Sequence, residues 1–87
     1  MITKHYLIKG QVQGVFFRLN SKRKADELGL SGWVKNTVNG VEIVIQGPVE
    51  KVKVMVRELK KGFPGSKVVS VIEQDDVKKR FSGFSIL

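Results

Sequence analysis

The apolar positions of Tyr6-Leu7-Ile8-Lys9-Gly10-Gln11-Val12 predict a first strand, with Tyr6, Ile8 and Gly10 on one face. A glycine-containing loop, Gln13 to Arg18, follows. Ser21 to Leu28 is predicted as helix: Ser21, Ala25 and Leu28 share a stripe, and Lys22, Arg23 and Lys24 fall mostly off it. Gly29 supplies a left-handed stop. Gly32 to Thr37 and Val41 to Ile45 are predicted as the second and third strands, with Val41, Ile43 and Ile45 pointing one way. Asn39-Gly40 between them is a hairpin signal, because both residues tolerate positive φ. Pro48 is preset for a first helical turn. Val49, Val52, Val56 and Leu59 then recur at helical spacing and form the apolar stripe of a second helix, which Gly62 and Pro64 end. Lys67 to Glu73, rich in Val and Ile, is predicted as a fourth strand, the charged stretch Gln74–Arg80 as a turn, and Phe84-Ser85-Ile86 as a short final strand.

The elements read β-α-β-β-α-β with a tail strand. That order makes an α+β fold, the ferredoxin-like βαββαβ sandwich: an antiparallel or mixed sheet, two helices on one face, and a short extra C-terminal strand. The 87 residues suit a single domain over 1–87, and no internal repeat, low-complexity segment or Pro/Gly/Ser-rich linker divides them. The fold hosts many functions and leaves the chemistry open.

Composition narrows the classes. A chain 41% apolar and 28% charged is ordinary for a soluble globular protein. Without cysteine there is no disulfide, thiolate metal site or cysteine nucleophile, which fits a cytosolic protein. The N-terminal residues carry no apolar stretch of signal-peptide length, and no apolar run approaches the roughly 18 residues of a membrane helix. The expectation is a cytoplasmic chain with no membrane partner. The net charge of +8 attracts anions, whether phosphorylated metabolites, nucleic acid or an acidic surface, and does not choose among them.

Most catalytic machinery is missing. GxGxxG and GxxxxGK[ST] are absent, and the single histidine, His5, has no cysteine or carboxylate cluster near it in sequence. A Ser-His-Asp triad therefore has no support. Asp75-Asp76, beside Lys78, Lys79 and Arg80, reads as solvated charge in a turn. The loop Gln13-Gly14-Val15-Phe16-Phe17-Arg18 differs, because a strand-to-helix turn with a glycine can aim successive backbone N–H groups into one anion nest. The helix adds its positive end, and the Arg18 fork suits two phosphate oxygens at once. An ordinary βα connection with an exposed arginine fits the same residues.

Gly10-Gln11-Val12-Gln13-Gly14-Val15-Phe16-Phe17-Arg18 resembles the signature of the acylphosphatase family, in which Val-Gln-Gly-Val precedes an aromatic and an arginine. Leu28-Gly29-Leu30-Ser31-Gly32-Trp33-Val34-Lys35-Asn36 is similar to the second family motif, a Gly-Trp-Val-basic-Asn run before a polar turn ending in glycine. Gly47-Pro48 and the late Phe84-Ser85-Ile86 also fit, so the resemblance covers essentially the whole chain. It implies catalytic roles for Arg18, the substrate-binding arginine, and Asn36, the water-orienting asparagine. It implies a phosphate loop of Gln13, Gly14, Val15, Phe16, Phe17 and Arg18. Ser21 and Thr37 stand where members often carry a supporting hydroxyl, and a capping or solvent-facing role fits them equally. Phe16 stands where many relatives carry glycine, Asn39 where aspartate is common and Lys35 where arginine is frequent; none of these departures touches Arg18 or Asn36.

The resemblance implies metal-independent hydrolysis of the carboxyl-phosphate anhydride of an acyl phosphate, with no cofactor. The partners are then a small acyl phosphate and inorganic phosphate, as product or competitive ligand. Because the leaving carboxylate is stable at neutral pH, no general acid is needed to protonate it. The alternative is a basic ferredoxin-like RNA-binding module, with Tyr6 and the Lys79-Arg80-Phe81-Ser82-Gly83-Phe84 segment as its aromatic positions. Nucleic acid is the less favoured partner, since those positions match such modules only faintly.

Overall fold

The computed structural model describes residues 1–14 and 16–87. Its elements are β1 (Ile2–Gln11), α1 (Phe17–Glu27), β2 (Ser31–Thr37), β3 (Gly40–Gly47), α2 (Val49–Lys61), β4 (Lys67–Glu73) and β5 (Phe84–Ile86). The sheet order is β4-β1-β3-β2-β5, antiparallel except for the parallel β2–β5 pair. This is the expected ferredoxin-like architecture with its extra C-terminal strand.

Several elements are longer than the pattern suggests. β1 begins at Ile2, four residues before Tyr6, because the ladder to β3 starts at Ile2↔Gly47 and holds Thr3, Lys4 and His5 without help from apolar alternation. α1 begins at Phe17, four residues before Ser21. The Phe17 side chain is buried and meets Phe63 edge-on at 5.2 Å, which anchors a helical turn that the Ser21–Ala25–Leu28 stripe omits.

Register places the core. Tyr6, Ile43 and Val34 align across β1, β3 and β2, and Ile8 aligns with Val41 one row on. This face packs against Phe17 and Ala25 of α1 and against Val52, Met55 and Leu59 of α2. Burial of that many branched and aromatic side chains is the main stabilising term in a domain of this size. Burial also holds the Tyr6 phenol above the usual tyrosine range; the Glu73 carboxylate adds to this and Lys4 opposes it.

The opposite face is covered by the chain itself. β4 and β5 lie at the two sheet edges, and the segment joining them crosses the face between. The Asp75 carbonyl lies 2.9 Å from His5 Nδ1, while Nε2 of the same ring faces the Glu42 carboxylate. Farther along, Gln46 Nε2 donates to the Lys79 carbonyl at 2.7 Å and to Thr3 Oγ1 at 3.0 Å, and its Oε1 accepts from the Phe81 N–H at 2.9 Å. The Gln46 side chain thus uses both ends of its amide to hold the strap, and Val44 is fully buried beneath it.

Two expected outcomes follow from this packing. Gln46→Ala leaves the Lys79 carbonyl and Phe81 N–H without their partner, and should lower stability by about 2 kcal/mol in urea unfolding. Ser21 Oγ is fully buried on the core side of α1 and has no hydrogen-bond partner among the described residues. Ser21→Ala removes that unmet hydroxyl and improves helix propensity, and should raise stability by about 1 kcal/mol in the same measurement.

Candidate active site

β1 and β2 each run antiparallel to β3, so both end at the same sheet edge, and β5, parallel to β2, ends there too. α1 starts at that edge. Gly14 has φ 72 with open space where a side chain would stand, so its requirement is conformational. Phe16 is also left-handed, at φ 61 and ψ 21, a state that costs a non-glycine residue of order 1–3 kcal/mol. The helix starts on the next residue. Arg18 is therefore a first-turn helical residue and not the closing residue of a loop.

The start of α1 carries no side-chain cap and no acid in its first turn. Serine, threonine, aspartate or asparagine ordinarily supplies an oxygen to the orphan N–H groups at this position. Here those donors and the positive end of the helix are left for another acceptor. None of the eight acidic residues falls between Gly10 and Ala25 or between Leu28 and Val41.

A concavity of about 260 Å³ opens at this point. Buried Val12 and Phe17 form its floor, and Gly14 and Arg18 stand in its wall. Phe16, Leu19 and Ile86 form its lip. Among the described residues, the half-buried Arg18 guanidinium has no ion-pair or hydrogen-bond partner. Val15, expected in the phosphate loop, lies outside the described residues.

Asn36 is exposed near the end of β2. It pairs with Val41, on the sheet face that also carries Val34 and α1, and it does not line the concavity. Register places it two residues beyond Val34, whose β5 partner Ile86 forms part of the lip. Arg18 and Asn36 thus share one edge and one face of the sheet.

Gln13 links the loop to the hairpin that carries Asn36. Its Nε2 donates to the Thr37 carbonyl and, at 2.7 Å, to the Gly40 carbonyl. The Thr37 hydroxyl donates to the same Gly40 oxygen and accepts from the Asn39 N–H, both at 3.2 Å, and so belongs to the turn. The hairpin differs in detail from the Asn-Gly expectation. Val38 and Asn39 form the loop, and Gly40 is the first paired residue of β3, opposite Thr37. Glycine is needed there because a Cβ would lie 2.2 Å from the Ile8 carbonyl oxygen.

The remaining charged candidates are engaged elsewhere or exposed. Lys22 bonds to Asp26 and to the Phe84 carbonyl, Lys24 lies by Glu27 and Glu58, and Arg23 is exposed. His5 is held by Glu42 and Asp75, while the Asp75 and Asp76 side chains are exposed. The RNA-binding alternative loses its platform: Tyr6 and Phe84 are buried, and the strap containing Phe81 lies across the face such a module would display.

Comparison with known proteins identifies the family. The sequence model of the Acylphosphatase family matches residues 4–86. An acylphosphatase of Thiobacillus denitrificans is 42% identical over 85 residues, which covers 97% of this chain and 94% of the relative. The crystal structure of acylphosphatase from Bacillus subtilis superimposes with a TM-score of 0.86 at 39% identity, covering 100% of this chain and 99% of that one. The structure of an acylphosphatase from Coxiella burnetii gives a TM-score of 0.91 at 36% identity, covering 98% of this chain and 90% of that one. With sequence and fold matched along nearly their whole length, the chain belongs to the acylphosphatase family of hydrolases.

Proposed function

We propose that this chain hydrolyses the carboxyl-phosphate anhydride of a small acyl phosphate, holding the phosphoryl group between Arg18 and the backbone N–H groups of the Gln13–Arg18 segment while Asn36 orients the attacking water. The observation that carries the reading is a guanidinium with no partner among the described residues, beside a helix start without a side-chain cap, in one concavity. A dianionic phosphoryl group supplies what both lack: acceptors for the N–H groups and oxygens for the arginine fork.

The work divides among few groups. Fixed donors at the equatorial oxygens stabilise the charge that develops during displacement. The Asn36 carboxamide holds water in line and removes part of the entropic cost of attack. The water's proton passes to a phosphate oxygen of the substrate, and the carboxylate leaves without a general acid. Gln13 keeps the loop and the hairpin in fixed relation, and Thr37 shapes the turn beside Asn36. Inorganic phosphate, the product, competes for the same donors.

Three measurements test this. Hydrolysis of benzoyl phosphate should proceed at full rate with chelator present; loss of activity that added metal restores would refute metal independence. Arg18→Ala should reduce turnover by at least roughly 10²-fold and weaken inhibition by inorganic phosphate, and an unchanged inhibition constant would remove Arg18 from the site. Asn36→Ala should lose turnover to a similar extent while still binding phosphate, as followed by isothermal titration; normal turnover would mean that the water is placed by another group.

A further inference from the structure

The chain has three asparagines, and the fold treats them differently. An asparagine loses its side-chain amide when the backbone nitrogen of the next residue reaches its side-chain carbonyl carbon. The next residue and the freedom of the backbone therefore decide which one reacts. Asn20 lies within α1 and is followed by the buried Ser21. Asn36 lies in the β2 ladder opposite Val41 and is followed by Thr37, whose branched Cβ crowds the nitrogen. Asn39 is followed by Gly40, which has no side chain to shield its nitrogen. It stands with Val38 in the two-residue loop of the hairpin, and both are exposed, Val38 completely. Among the described residues the Asn39 carboxamide has no hydrogen-bond partner, and only the Asn39 backbone N–H is held, by the Thr37 hydroxyl. Two loop residues without packing open locally at small cost, and opening gives the Gly40 nitrogen its approach.

We propose that Asn39-Gly40 is a self-modification site whose isoaspartate product switches off hydrolysis. The Gly40 nitrogen, after yielding its proton to solvent base, forms a bond to the Asn39 side-chain carbonyl carbon. The bond from that carbon to the side-chain nitrogen breaks, and the nitrogen leaves as ammonia, taking up a proton in place of the one lost. Water then opens the five-membered ring at either carbonyl. One opening leaves aspartate with the main chain unchanged. The other leaves isoaspartate, in which the main chain runs through the side-chain methylene and the former backbone carbonyl becomes a free carboxylate. In all, one water is consumed and one ammonia released, with no oxidant or reductant. Isoaspartate lengthens the two-residue loop by one backbone atom. Gly40 cannot yield to it, because its backbone already sits against β1, where a Cβ would lie 2.2 Å from the Ile8 carbonyl oxygen. The displacement falls instead on the Thr37–Gly40 pair, whose two carbonyls share the Gln13 amide, and on the adjoining Asn36. A shift of about 1 Å in a positioning group can cost roughly 10²-fold in turnover. The inactivation rests on the proposed role of Asn36; the modification itself does not.

The test ages the full chain in warm, mildly alkaline buffer and follows ammonia release, isoaspartate located by peptide mass spectrometry, and hydrolysis of benzoyl phosphate. Asn39→Ser, a turn-compatible residue with no amide to lose, is aged in parallel, and freshly made Asn39→Asp stands for the other product of ring opening. The expected result is isoaspartate at Asn39 well ahead of any change at Asn20 or Asn36. The isoaspartyl form, separated by ion exchange, should turn over at least roughly tenfold more slowly than the parent. Asn39→Ser should keep its rate through the ageing. Asn39→Asp should hydrolyse at close to the parent rate, because its loop has the normal length and its charge is solvated. Deamidation at Asn39 no faster than at Asn20 or Asn36 overturns the site. An isoaspartyl form as active as the parent overturns the switch, and so does an Asn39→Asp variant as slow as the isoaspartyl form, since charge alone would then account for the loss. A fresh parent that does not hydrolyse benzoyl phosphate overturns the reading of Asn36 and the switch with it, while isoaspartate at Asn39 still decides the site.

Discussion

At the start of α1 the chain leaves first-turn backbone N–H groups without the side-chain oxygen that ordinarily satisfies them, and much of the surrounding structure holds that start in place. Phe17 fixes it from below, with its ring in the core against Phe63. Gln13 fixes it from the side through the carbonyls of Thr37 and Gly40. The parallel run of β1, β2 and β5 brings the strand ends that carry Val12, Asn36 and Ile86 to the same edge. Donors that point at an anion stabilise a transition state only if they need not reorganise when charge develops there. On the proposed function, the contacts from Phe17 and Gln13 would keep these donors stationary.

The other face shows how one sheet is kept to one task. A five-stranded sheet with helices on a single face leaves the other open, here the face that carries Thr3, His5, Trp33, Lys35, Glu42, Val44 and Gln46. Here the connection from β4 to β5 lies across it and is pinned by His5 and by both ends of the Gln46 amide. The strap removes the stacking platform that a nucleic-acid reader of this fold would need, and it adds polar satisfaction to a face that already buries Val44. The basic surface is partly neutralised locally, since Lys22, Lys24 and Lys35 each lie beside a carboxylate. Net charge is thus a poor guide to the partner, because much of it is spread over side chains that pair with carboxylates.

The order of elements was legible because the cues there were local: alternation in the strands, a three-and-four stripe in α2, and glycine or proline at the breaks. β4 and β5 match their expected bounds for that reason. The start of α1 was not legible, since Phe16 adopts a left-handed turn without being glycine and Phe17 is drawn into helix by a contact with Phe63, 46 positions away. Arg18 was a candidate by local chemistry, with an exposed arginine in an ordinary connection fitting equally, whereas Asn36 stood out only through a family resemblance and is by local pattern an asparagine before a turn. The clamp made by Gln13 left no sequence cue, because its partners lie 24 and 27 positions along the chain and are backbone oxygens, which any residue could supply. The apolar lip was hidden for a related reason: it joins residues from the loop, α1 and β5 that only the sheet order brings together.

Small size and simple chemistry are connected here. An anhydride whose leaving group is already a stable carboxylate needs neither a tuned acid nor a tuned base, and therefore no buried ionisable group, whose burial would cost a domain of 87 residues several kcal/mol. On the proposed function, a backbone turn and one guanidinium hold the phosphoryl group at the surface, where their own desolvation cost is small. The same position sets the limit on selectivity. On the proposed function, a shallow site surrounds the phosphoryl group and meets the rest of the substrate only at its rim. Phe16, Leu19 and Ile86 border the concavity with 77%, 43% and 39% of their surface exposed.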